Sequence, residues 1–103
     1  MNVMEVNFEN FDTEVLASDK PVIADFYADW CDPCRMMRPA LDQIAAERSD
    51  VKVVAVNVDD EEELAEKYGI SSIPCVIAFK GGQETDRSVG LVPKDRILAL
   101  VGG

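Results

Sequence analysis

Cys31 and Cys34 stand two residues apart in the string Trp30-Cys-Asp-Pro-Cys34. That spacing lets two sulfurs meet across one helical turn. A helix N-terminus at Cys31 would stabilise its thiolate through free amide groups and the helix dipole. The dipole contributes about 0.3–1 kcal/mol, and up to ~2 where partly buried. With about 1.36 kcal/mol to one pKa unit, a free-cysteine pKa of ~8.5 would fall towards ~7–8. The chemistry on offer is thiol–disulfide exchange. Two other uses of the pair stay open. Half of a zinc site would still need its remaining ligands from a chain without histidine. Two inert structural cysteines are the other option, against which Pro33 and the strand–turn–helix setting count.

Two further residues bear on that chemistry. Asp25 interrupts an apolar run, Val22-Ile-Ala-Asp-Phe26, and burial there would raise its pKa by penalising the charged form. The alternative is a carboxylate facing solvent at a strand kink. Cys75 is the odd third thiol and follows Pro74 directly. A buried free cysteine is often just a small hydrophobe. A third redox thiol, a metal ligand or an iron–sulfur site built on all three cysteines are the functional options.

The elements that must position these groups can be read from periodicity. Residues 5–8 alternate polar and apolar, as a short edge strand does. Asn10 is placed to cap a helix carrying Phe11, Val15 and Leu16 on one face. Residues 21–28 form a nearly continuous apolar run, the pattern of a strand covered on both faces. From Cys34 to about Glu47 the spacing is helical, with Met37, Leu41, Ile44 and Ala45 on one face. Pro33 suits the first helical position, and Pro39 is expected to kink the helix. Residues 51–58 read as a second strand and 59–68 as a short helix ended by Gly69. A loop at 71–74 leads into a strand at 75–79. Gly81-Gly82 is a hairpin signal, 84–89 the return strand, Gly90 its break, and 93–101 a last amphipathic helix. This alternation predicts an α/β fold: parallel strands covered by helices, with an antiparallel hairpin at one edge.

Composition narrows the function. The 103 residues carry 20 acidic and 10 basic side chains, a formal charge of −10, and no histidine. The length favours a single domain spanning residues 1–103. A 48 % hydrophobic and 29 % charged balance is that of a globular chain. The negative charge, with no basic block, argues against nucleic acid and against anionic membrane surfaces. No stretch approaches the ~20 apolar residues of a membrane span. Residues 1–10 contain Glu5 and Glu9 but no Lys or Arg, so no secretory signal is expected and the cytoplasm is the simplest location. A mature secreted form would look the same.

Several of these motifs stand in a familiar order. Trp-Cys-x-Pro-Cys follows an apolar strand ending in Asp-Phe-Tyr-Ala, and then come Pro39, Gly-Ile-x-x-Ile-Pro and a Gly-Gly hairpin. From about Glu5 to Val101 the chain resembles the thioredoxin family. The resemblance implies the thioredoxin fold, with a central mixed sheet of four to five strands and helices on both faces. It implies protein-disulfide reduction by a monomer whose Cys31–Cys34 disulfide is redox-active, with no bound cofactor. Cys31 would be the exposed nucleophile that forms a mixed disulfide, and Cys34 would resolve it. Asp25 would be the buried acid behind Cys34. Pro74 matches the family's cis-proline. Trp30, Ile73, Pro74 and Gly90 would make the substrate-binding surface, and a thioredoxin reductase would restore the dithiol. A binding module on the same fold, with an incidental cysteine pair, is the other functional reading.

The chain departs from the family pattern at three places. Asp32 replaces the usual glycine between the cysteines; its charge would repel the Cys31 thiolate and raise its pKa by about half a unit. With Pro33 and Cys75 it makes up the expected redox-tuning set. Cys75 stands where threonine is usual. Ala55 stands where a lysine near the buried acid is common, so Asp25 is expected to stay protonated to higher pH. Asp59, Asp60, Glu61, Glu62, Glu63 and Glu66 read as a solvated face at a helix N-terminus, or as a steering surface for a basic partner.

Overall fold

The computed structural model describes residues 3–103. Met1 and Asn2 lie outside the described residues, as does that part of the signal-sequence and domain expectations.

Five strands form one mixed sheet in the order β1-β3-β2-β4-β5. They are β1 (Met4–Glu5), β2 (Val22–Tyr27), β3 (Lys52–Asn57), β4 (Cys75–Lys80) and β5 (Gln83–Val89). β1 and β2 both run parallel to β3, whereas β4 pairs antiparallel with β2 and β5 with β4. The hairpin therefore forms one edge, as the Gly81-Gly82 signal predicts. The other edge is a two-residue strand, shorter than the expected 5–8, and one more backbone bond prolongs it from the Val6 amide to the Ala55 carbonyl (2.9 Å).

The helices cover both faces. On one face α1 (Asp32–Glu47) and α3 (Lys94–Ala99) pack Met37, Leu41, Ile44 and Ile97 on Ile23, Val53 and Val76. On the other, α2 (Glu62–Lys67) and a π-helical segment, Asp12–Leu16, bring Leu64, Phe11 and Val15 against Ala24, Phe26, Val54, Ile77 and Phe79. Alternation along β2 explains the split: Ile23 and Asp25 point to the α1 face, Ala24 and Phe26 to the opposite one. α1 starts two residues earlier than its apolar period, so Pro33 is its second residue. It runs unbroken through Pro39, which is exposed.

Asn10 does not cap the segment that follows it. Its Oδ1 accepts from the Asn7 amide (2.7 Å), while the Asn7 Oδ1 accepts from the Asn10 amide (2.9 Å). That reciprocal loop closure uses the side chain, and the next turn opens wide, with the Ala17 amide donating to the Asp12 carbonyl (2.9 Å). Among the described residues no helix is long and apolar enough to cross a membrane.

Candidate active site

β2 ends at Tyr27, the chain turns through Ala28 to Trp30, and α1 begins at Asp32. Cys31 is the N-cap, in extended conformation, and its Sγ accepts a hydrogen bond from the Cys34 amide (3.2 Å). A sulfur in this position takes the place of a capping oxygen, and the same donor would hold a thiolate. Cys31 and Cys34 are joined as a disulfide, Cα–Cα 5.2 Å. Both are 4 % exposed and pack with Ala28, Tyr27, Val58 and Ile73. The exposure expected of Cys31 is thus small in the disulfide form. It reaches the surface through a groove of about 520 Å³ lined by Trp30, Asp32, Pro33, Ser71, Ser72 and Ile73.

Of the expected substrate-binding residues, Trp30 and Ile73 line this groove, and Pro74 follows Ile73 in the chain. The Ile73–Pro74 peptide is cis. The Gly90 amide donates to the Pro74 carbonyl (2.8 Å), which brings the end of β5 beside the loop, and φ at Gly90 is +96°. Trp30 is 68 % exposed, and its indole Nε1 donates to Asp59 Oδ2 (2.9 Å). Asp59 therefore orients the tryptophan, a role that its place in an acidic run concealed.

Asp32 is 76 % exposed in the first turn of α1 and forms an ion pair with Arg35, which also donates to the Asp29 carbonyl. The repulsion expected from Asp32 towards Cys31 is thus partly answered by a guanidinium one turn along. Cys75 lies on the other face of the sheet, in the cluster of Phe26, Ile77 and Phe79, and is a free thiol. Burial pushes its pKa up, with the Arg87 guanidinium opposing.

Asp25 is 1 % exposed, and neither carboxylate oxygen meets a protein donor among the described residues. Burial is the main cause that raises its pKa to about 7; Arg38 opposes the rise and Glu5 adds to it. Its register partner on β3 is Ala55, the position read as lacking the family's common lysine, and that of Ala55 on β1 is Glu5. The cation comes instead from Arg38 on α1. Arg38 pairs with Glu5 (3.6 Å) and lies over the Tyr27 ring, 5.0 Å from its centroid. The Tyr27 hydroxyl donates to Glu5 (2.8 Å). Burial and this bond raise the phenol's pKa to about 12, so it remains a donor. These side chains line a cavity of about 260 Å³ that also touches Cys34. Sequence reasoning missed Glu5, Tyr27 and Arg38, because the sheet register and the packing of α1 on the sheet bring them together.

A family model described as Thioredoxin matches residues 2–102. The chain is 50 % identical over 91 residues to Thioredoxin 1 of Nostoc sp., covering 87 % of this chain and 85 % of that one. It is 46 % identical to Thioredoxin of Porphyra purpurea over 94 % of this chain and 92 % of that one. With Thioredoxin 1 of Synechococcus elongatus it shares 54 % over 82 % of this chain and 79 % of the other.

Proposed function

The chain belongs to the thioredoxin family, and from that premise we propose how its residues divide the work of protein-disulfide reduction. It is a thiol–disulfide oxidoreductase whose redox group is the Cys31–Cys34 pair. Cys31 is the nucleophile: its thiolate attacks a client disulfide in line, one client sulfur leaves with the bonding pair, and a mixed disulfide forms. Cys34 then gives its proton to Asp25 and attacks the Cys31 sulfur. The Cys31–client bond breaks, the second client sulfur leaves as a thiolate, and the Cys31–Cys34 bond closes. The observation that carries this assignment is the Cys31 sulfur at the N-cap of α1, accepting the Cys34 amide at the head of the groove.

Trp30, Ile73, Pro74 and Gly90 bind the client backbone along that groove. Trp30, Val89 and Leu91, all exposed, give the groove and its Gly90 edge an apolar surface for docking. Asp32 and Pro33 tune the first turn, and Cys75, buried on the far face, acts as a small core side chain. The protein works in electron transport as a single-domain cytoplasmic monomer, and a thioredoxin reductase restores its dithiol. Its charge of −10 supports solubility and monomeric behaviour.

Insulin reduction by dithiothreitol tests the assignment. The wild type accelerates precipitation of the insulin chains, Cys31→Ser abolishes the acceleration, and Cys34→Ser accumulates a mixed disulfide on Cys31. A binding module would accelerate nothing, and a trapped adduct on Cys34 in the Cys31→Ser protein would reverse the two roles.

A further inference from the structure

The Asp25 carboxylate has charged neighbours on two elements besides its own strand. Glu5 reaches in from β1, along the row Glu5–Ala55–Asp25 that crosses the sheet. Arg38 reaches in from α1, fixed by the Glu5 carboxylate and the Tyr27 ring. β3 presents only the methyl of Ala55, β4 presents Val76, and α3 buries Ile97 on this face. The free Cys75 thiol lies on the opposite face of β4, and Cys34, on α1, is held in the disulfide. The cavity lined by Glu5, Tyr27 and Arg38 extends to Cys34.

We propose that Arg38, clamped between Glu5 and Tyr27 beside the cavity that reaches Cys34, is a positioning residue for the resolving step, setting the charge balance under which Asp25 takes the proton from Cys34. The proposal rests on the reading of Asp25 as that proton acceptor. In the step, the proton moves from Cys34 Sγ to an Asp25 oxygen as the Cys31–Cys34 bond forms. The Cys31–client bond breaks, and the client sulfur keeps the electron pair. A carboxylate that is buried and unpaired is too basic to stay ionised for this role at neutral pH unless a cation offsets its desolvation. Arg38 is the cation in place, and Glu5 moderates it. The Tyr27 hydroxyl holds Glu5 so that the pair stays over the cavity instead of swinging into solvent. Arg38 touches neither client nor reacting sulfur, so its action is through Asp25.

Opposite-signed variants separate this from a packing role. In the reduced protein, single-turnover exchange with a peptide disulfide is followed by the fluorescence of Trp30, the chain's one tryptophan, across pH 5–9. In the oxidised protein the Asp25 carboxyl carbon is titrated directly by NMR. Arg38→Gln is expected to shift both midpoints up by roughly 0.5–1 pH unit, the effect of removing one partly solvated opposite charge. Glu5→Gln is expected to shift both down. Lys94→Gln removes the same charge as Arg38→Gln, but pairs with Glu47, nine residues or about 13 Å further along α1; it should leave both midpoints in place. Asp25→Asn should slow the exchange and leave a rate profile set by the Cys31 thiolate alone, with the Asp25 midpoint gone. A rate and profile identical to the wild type in Asp25→Asn would overturn the reading of Asp25 itself. If Asp25→Asn removes that midpoint but the Arg38 and Glu5 variants shift it in the same direction, or no more than Lys94→Gln, Arg38 has no such role.

Discussion

Asp25 couples function to stability. Unfolded, an aspartate ionises near pH 3.9; folded, this one holds its proton to about pH 7, chiefly because burial penalises the charge. Below about pH 4 both states are protonated and the group contributes nothing to the pH dependence. Between pH 4 and 7 the native state keeps a proton that the unfolded chain has released, so stability falls as pH rises. Above pH 7 the loss is complete, and three pKa units amount to about 4 kcal/mol. Asp25→Asn should therefore stabilise the oxidised protein by up to about 4 kcal/mol at pH 8 and hardly at all at pH 3, while slowing disulfide reduction. Urea unfolding at the two pH values measures it, and an equal gain at both would show that ionisation is not the cause. The burial of Asp25 was legible from the apolar strand around it. Its cation was not, because Arg38 is thirteen residues away in sequence and on another element. Ala55, read as lacking the family's lysine, does lie beside Asp25, whose pKa is raised as expected, although a cation on α1 opposes the rise. Asp32 gives the same lesson in reverse: its repulsion of Cys31 was visible, but the Arg35 that answers it depends on helical geometry.

At the scale of elements, the hairpin between β4 and β5 has a steric reason for its second glycine. Gly82 has φ +81°, and a Cβ there would lie 3.0 Å from the Leu16 carbonyl oxygen at the end of the π-helical segment. Gly81 has φ +60°, with open space around it. Gly82→Ala should cost about 2 kcal/mol or more, from backbone strain and a clash with main chain, whereas Gly81→Ala should cost about 1 kcal/mol from strain alone. Chemical denaturation ranks the pair, and equal midpoints would mean that the hairpin moves away from Leu16 freely. The hairpin at one edge, the parallel strands implied by alternation and the long helix were all readable, since each follows from local period and turn chemistry. The turn around Asn10 was not. A capping residue and an Asn–Asn loop closure look alike in sequence, and the choice is made by where Phe11 and Val15 must sit in the core. The edge strand was expected at the right place but began one residue too late and ran three residues too far, because only pairing with β3 decides which residues of a weakly patterned end are extended.

The charge of −10 acts on the whole molecule, and the fold brings part of it to the site. Asp32 lines the groove at Cys31, and Asp59 holds the indole of Trp30 beside it, with Asp60 next in the chain. Arg35 offsets one of these charges, so the rim keeps a net negative field. Such a field acts on approach, since exposed charges change association rates more than they change the affinity of the docked pair. A peptide disulfide flanked by lysines should therefore react faster than the same peptide flanked by glutamates, by about tenfold at 10 mM salt. Screening lengths fall from about 30 Å at 0.01 M to about 3 Å at 1 M, so the ratio should approach one in molar salt. Asp59→Asn should lower the low-salt ratio and also loosen Trp30, which its fluorescence would report. A ratio that stayed constant from low to high salt would assign the preference to contacts inside the groove, leaving the acidic run as a solvated face with no part in client choice. A ratio that collapses with salt while the neutral peptide's rate holds steady would make the −10 charge a determinant of which disulfides reach Cys31 first.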